Sequence, residues 1–204
     1  QESIGIAPEI GAHVLCKGAA DRATRLDGGR AGDDTTAAML YFRHPRVTQI
    51  LTGCPFDKTQ DTDYAALVNR PGITTIIAGG STADLVAREL NRPIDTPLIA
   101  LDPEVPAESD IPGIDLVTEG CVTLSKTIEL LKHPGPDIRV NPATKMRDLL
   151  LASDRIFIDV GTAINPAHQD PSLPMALDIR RNIVRELANI LRAQYCKDVE
   201  VNFH

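Results

Sequence analysis

After about residue 46 the chain switches repeatedly between two periods, and that alternation limits the possible fold more than any other feature. Short apolar runs at 47–51, 73–78, 98–101, 114–117, Arg155–Val160 and 199–203 are separated by stretches of helical spacing at 61–68, 83–90, 121–131, 141–151 and 175–194. The run Ile73-Thr74-Thr75-Ile76-Ile77-Ala78 is the most strand-like, being rich in β-branched residues. Leu85, Val86 and Leu90 make a helical stripe in the next segment. Strands joined through helices run parallel as a rule, and a parallel sheet is covered on both faces. The expectation for 46–204 is therefore an α/β three-layer sandwich around a mostly parallel sheet. Asn141 reads as an N-cap with Pro142 at the first helical position.

The first 45 residues read differently. Residues 8–26 have a helical pattern, with Pro8 near the first turn and Glu9 placed to suit the helix dipole. The loop Gly28-Gly29-Arg30-Ala31-Gly32-Asp33-Asp34 follows, and 36–42 reads as a strand that His44-Pro45 ends. A boundary is expected near 43–46, giving regions 1–45 and 46–204. In the loop, glycines permit tight turns. Asp33 and Asp34 present hard oxygen ligands of the kind that suit Mg²⁺ or Mn²⁺. A solvated Asp-rich turn is the other reading of the same residues. Cys16 and Arg22 have the Cys-x5-Arg spacing of cysteine-dependent phosphatases. That chemistry needs a phosphate loop between a strand and a helix. Here the spacing falls inside a helical pattern, which leaves Cys16 as a small packing residue.

Three further stretches could carry chemistry. Gly79-Gly80-Ser81-Thr82 lies between a strand pattern and a helix pattern. Small residues there leave N–H groups at a helix start for a phosphate or carboxylate, at the carboxyl edge of the sheet. A tight turn with Ser81 or Thr82 as N-cap explains them too. The stretch is neither a P-loop nor a dinucleotide fingerprint. Glu119, in Thr118-Glu119-Gly120, is placed to face the same edge or to cap the helix after it. His168 and Asp170, in a proline-punctuated polar loop at 165–174, suit metal ligation or proton transfer, or hydrogen bonding at the surface.

Charge narrows the partners. With 28 acidic against 21 basic residues the net charge is −7, whereas nucleic acid and anionic membranes attract clustered Lys and Arg. Neither partner is expected, and the absence of Trp with 3% aromatic content argues against a base-stacking surface. No apolar run approaches membrane-spanning length. The scattered Cys16, Cys54, Cys121 and Cys196 have no metal or redox spacing, which suits reduced thiols in a cytoplasmic protein. An opening Gln1 in place of Met fits a piece of a longer protein. The oligomeric state is left open.

The stretch from Arg25 to Thr36, with Gly32-Asp33-Asp34-Thr35-Thr36 at its centre, resembles the last metal-binding loop of the metal-dependent protein phosphatase 2C superfamily, closest to the stage II sporulation protein E-like branch. Ala78-Gly79-Gly80-Ser81-Thr82-Ala83-Asp84, Gly113-Ile114-Asp115-Leu116-Val117-Thr118-Glu119-Gly120 and Ile164-Asn165-Pro166-Ala167-His168-Gln169-Asp170 resemble the extra C-terminal region of some bacterial members. The resemblance implies that Asp33 ligates one ion of a two-metal Mg²⁺ or Mn²⁺ centre, with Asp34 beside it. It implies a parent that hydrolyses phosphoserine and phosphothreonine in phosphoproteins through metal-activated water. The family's other ligands lie upstream of this loop, so the chain alone is expected to be inactive. The alternative reading is that the α/β region is a stand-alone module that binds a small anionic ligand or partner through Gly79–Thr82, Glu119 and His168 and has a regulatory role.

Overall fold

The structure is a computed structural model that describes residues 12–30, 32–40, 42–97, 102–135, 139–163 and 173–204. The chain divides into two compact units, Gln1–His44 and Pro45–His204. In the first, helix α1 (Ala12–Leu26) gives way to Gly28 and Gly29, whose φ angles of 75° and 88° are left-handed. The Gly29 N–H reaches back to the Thr24 carbonyl at 2.9 Å, a helix stop that only glycine makes without strain. The strand expected at 36–42 does not form among the described residues; these carry no regular secondary structure and are largely exposed. Leu40 is 81% and Phe42 85% accessible. A strand exists only by sharing its N–H and C=O groups with a neighbour, and no described segment pairs with this one.

The second unit is an α/β three-layer sandwich. Its strands are β1 (Val47–Thr52), β2 (Thr74–Ala78), β3 (Leu116–Thr118), β4 (Arg155–Val160) and β5 (Asp198–Phe203), all parallel, in the order β3-β2-β1-β4-β5. Its helices are α2 (Asp61–Ala66), α3 (Gly80–Glu89), α4 (Cys121–Lys132), α5 (Pro142–Ala152) and α6 (Leu173–Tyr195). Successive strand residues point to opposite faces, and the core divides accordingly. Leu51, Ile77 and Val117 pack with Tyr64, Val68, Leu85 and Val86 under α2 and α3. Ile50, Ile76, Leu116 and Ile158 pack with Leu124, Leu131, Met146, Leu150, Val184 and Leu191 under α4, α5 and α6. The chain moves outward from β1 to β3 with its helices on one face. It then crosses back to β4 with its helices on the other, as right-handed crossovers require.

Several boundaries differ from expectation for local reasons. Helix α3 begins at Gly80, three residues before the expected start at 83. Strand β3 starts only at Leu116, because the Asp115 carboxylate accepts the Thr75 N–H at 2.7 Å and takes the place of a ladder partner. Helix α5 keeps the expected cap: Asn141 accepts from the Thr144 N–H, and Thr144 accepts from the Asn141 N–H in return. Helix α6 reaches back to Leu173, with Pro174 in its first turn, where the missing N–H costs nothing. The expected strand at 98–101 lies outside the described residues.

Candidate functional site

Because every strand is parallel, all carboxyl ends emerge at one edge of the sheet. The strand order reverses between β1 and β4, where open α/β sheets leave a crevice for ligands. Here main chain seals that point. The Ala163 N–H donates to the Cys54 carbonyl at 2.9 Å. A Cβ on Gly161 would lie 2.1 Å from the Cys54 carbonyl carbon. Only glycine permits so close an approach of two loops. Below them Asp159, 4% exposed, accepts from the Gln49 amide and pairs with His204 Nε2 at 2.6 Å. The Tyr64 hydroxyl donates to the Asp159 carbonyl at 2.9 Å, and its ring meets the His204 ring edge-on with centroids 5.2 Å apart. Burial, then the Asp159 charge, pushes the Tyr64 hydroxyl far above its ordinary range. The cluster ties α2, β1, β4 and β5 together through satisfied polar groups, a structural duty.

The open part of the edge lies one strand over, at the start of α3. Gly79 has φ 136° and ψ 130°, and no side chain caps the helix. Its N–H donates to the Thr118 carbonyl of the neighbouring strand at 2.8 Å. Thr82 stands at the third helical position, where a side chain commonly accepts from the N-cap N–H. That donor is already used, so the Thr82 hydroxyl, fully buried, has no partner. It points back at the turn: a Cβ on Gly79 would sit 3.2 Å from Thr82 Oγ1. A buried hydroxyl left unmatched costs about 1–3 kcal/mol.

Helix α4 starts beside it. Gly120 packs on Gly79, its added Cβ falling 3.5 Å from the Gly79 Cα. This start carries an anion of its own, since Glu119 Oε2 accepts the Val122 N–H at 2.9 Å. The buried Thr123 hydroxyl, again at the third position, has no partner either. From α6 the Arg180 guanidinium reaches over Gly53, where a Cβ would meet its Nη1 at 2.8 Å. Arg180 has no hydrogen-bond or ion-pair partner among the described residues. Cys54, next to Gly53, donates its S–H to the Ser81 carbonyl at 3.5 Å, which links Arg180 to the α3 start. Burial raises both half-buried thiols, Cys54 and Cys121, above the ordinary value of 9.0. The Arg180 charge pulls each partway down, and Glu119 pushes Cys121 up, so that thiol lies within reach of both charges.

Of the residues singled out from sequence, Gly79, Gly80, Ser81, Thr82 and Glu119 come together at this edge. His168 lies outside the described residues. Asp33 and Asp34 are exposed in the other unit, and Asp33 Oδ1 accepts the Asp34 N–H at 2.8 Å, a local turn. The described residues contain no group of three or more His, Cys, Asp or Glu able to hold an ion. The chemistry at the edge that sequence reading passed over is Arg180, hidden among the charges of α6, and Cys54. A cavity of about 220 Å³ lies beside β3, lined by Asp95, Glu108, Asp110, Asp115 and Lys145 among others. Two of its carboxylates are already engaged, Glu108 with Lys145 and Asp115 with the Thr75 N–H. Among the described residues no helix is long and apolar enough to cross a membrane. In comparisons with family models, curated proteins and solved structures, nothing matches this chain.

Proposed function

We propose that the Pro45–His204 unit is a binding module for a small anion, held at the start of α3. The observation that carries this reading is the uncapped start of α3 with the buried, unpartnered Thr82 hydroxyl turned toward it. Free N–H groups and the helix dipole favour negative charge there. Arg180, without a partner among the described residues, brings a positive charge to Gly53, whose neighbour Cys54 donates to the Ser81 carbonyl of the α3 start. Binding should raise the thermal midpoint of the chain in proportion to occupancy. With dimethyl phosphate as the probe, Arg180→Ala should weaken the effect roughly tenfold, the value of one charge-assisted contact. Equal shifts in both proteins would remove Arg180 from the site. No shift in either would remove the site.

A second reading concerns the first unit. Residues 36–42 expose Leu40 and Phe42 and contribute to no sheet among the described residues, as a strand without its neighbour would. With the resemblance of the Gly32-Asp33-Asp34 loop, this supports a parent that is a Mg²⁺- or Mn²⁺-dependent serine/threonine protein phosphatase, regulated by the anion-binding module. The present chain should show no Mn²⁺-dependent phosphatase turnover, and turnover would contradict the reading. Asp33→Ala should leave anion binding by the second unit unchanged.

A further inference from the structure

We infer that a second copy of this chain extends the sheet at the outer edge of β5, antiparallel, with the two-fold axis at Val201. The two edges of the sheet end differently. At one, β3 has three residues and its Val117 carbonyl takes the Ser109 N–H at 2.9 Å, so that edge is short and already covered. At the other, β5 runs for six residues in unbroken register with β4, without a bulge, a proline or a lysine. Those are the usual guards of an edge strand. Its carboxylates are answered within the chain, since Arg155 lies 3.1 Å from Asp198 and 3.7 Å from Glu200.

The ladder decides which groups face outward. Asp198 and His204 donate to the Asp154 and Val160 carbonyls, and His204 accepts from the Thr162 N–H. Alternate residues of a strand bond to the same neighbour, so Val199, Val201 and Phe203 turn their N–H and C=O groups away from β4. The Val199 carbonyl accordingly accepts from Arg192 of α6, at 2.6 Å. Among the described residues nothing engages the outward groups of Val201 or Phe203.

Identical strands related by a two-fold axis across the sheet run antiparallel, and residues exchanging both hydrogen bonds there alternate with residues exchanging none. An axis at Val201 is the one that uses all the outward residues. It sets Val201 against its own copy and Val199 against the partner's Phe203, an aromatic that is 45% exposed in the single chain. The other face then opposes Glu200 to Asn202 and Asp198 to His204. An axis at Val199 or Glu200 would oppose carboxylates, Asp198 to Glu200 or Glu200 to itself, which destabilises a pair. Arg192 is no obstacle, because a carbonyl oxygen has two lone pairs and can accept the partner's Phe203 N–H as well. A strand from another protein would have to match this spacing of charges and apolar side chains; a second copy matches it by symmetry.

The test is sedimentation of the full 204-residue chain from about 1 μM to 1 mM, the range for a small interface, with amide hydrogen exchange along the series. The mass should rise toward that of a dimer, and the Val201 and Phe203 amides should become protected as it does. The Glu200 and Asn202 amides, bonded to β4, should be protected throughout. Val201→Pro removes an N–H that the ladder does not use, which an edge strand accepts, and should weaken association more than about tenfold. Asn202→Lys faces the partner's Glu200 and should strengthen association by roughly two- to fivefold per pair. A chain still monomeric at about 1 mM would overturn the inference. So would association that leaves the Val201 and Phe203 amides unprotected, or that Val201→Pro does not weaken. Unchanged or weaker association in Asn202→Lys would overturn the axis at Val201.

Discussion

The starts of α3 and α4 touch through Gly79 and Gly120, and both follow a strand of the same sheet. Both place a buried threonine hydroxyl without a partner at the third position. They differ in how the exposed N–H groups are met. At α4 the chain provides its own carboxylate, Glu119 on the Val122 N–H. At α3 no side chain does so, and the N-cap N–H is spent on the neighbouring strand. Local sequence explains the contrast, because an acidic residue precedes Gly120 whereas Ala78 precedes Gly79. A helix start finished from within is a structural element; the one left open is where we propose that an anion binds.

The largest expected effect separates the sealed part of the edge from the open part. Gly161→Ala forces a Cβ to within 2.1 Å of the Cys54 backbone, so urea unfolding should show a loss above about 3 kcal/mol or no folded protein. Gly80→Ala meets nothing within 4 Å and should be neutral or stabilising by up to about 1 kcal/mol, since alanine favours a helix over glycine. Equal losses would mean that α3 starts in packed surroundings. Next in size, Glu119→Ala removes the acceptor at α4 and should cost about 0.5–1 kcal/mol, whereas Ser81→Ala at α3 should change stability by less than about 0.5 kcal/mol. A cost at Ser81 would show that α3 is capped after all.

The smallest effect concerns the thiols. Burial raises Cys54 and Cys121 in the folded state above the unfolded value, so the folded protein holds these protons more tightly. The resulting stabilisation is complete below the unfolded thiol value and is lost as pH climbs through the folded one. Alkylation at neutral pH should therefore reach exposed Cys196 before either thiol at the edge. Rapid modification of Cys54 at neutral pH would show that its surroundings are wetter than its burial indicates.

Much of the fold was legible because one signal recurs. Each apolar run such as Thr74–Ala78 is bracketed by turn residues, and buried parallel strands require that continuous apolarity. The segment at 36–42 misled for a complementary reason: its apolar pattern is real, but a strand needs a partner that pattern cannot supply. At the edge, Glu119 was readable as a helix start because capping is local. The expected Ser81 or Thr82 N-cap does not form: Gly79 takes that position, with no side chain capping it. The proximity of the two starts was not readable, since it depends on β2 and β3 pairing in register, Ala78 opposite Thr118. Arg180 was illegible for the same reason: which arginine of α6 overhangs Gly53 follows from how that helix packs across the sheet. The Asp159–His204 pair joins residues 45 positions apart in sequence, and no spacing rule anticipates it.

Amide chemical shifts followed through a dimethyl phosphate titration test the central claim most directly. The account predicts saturable shifts at Gly80, Ser81 and Thr82 with little change at Val122, whose N–H already faces Glu119. Saturable shifts at Val122 as large as those at Gly80, or none at the start of α3, would contradict it.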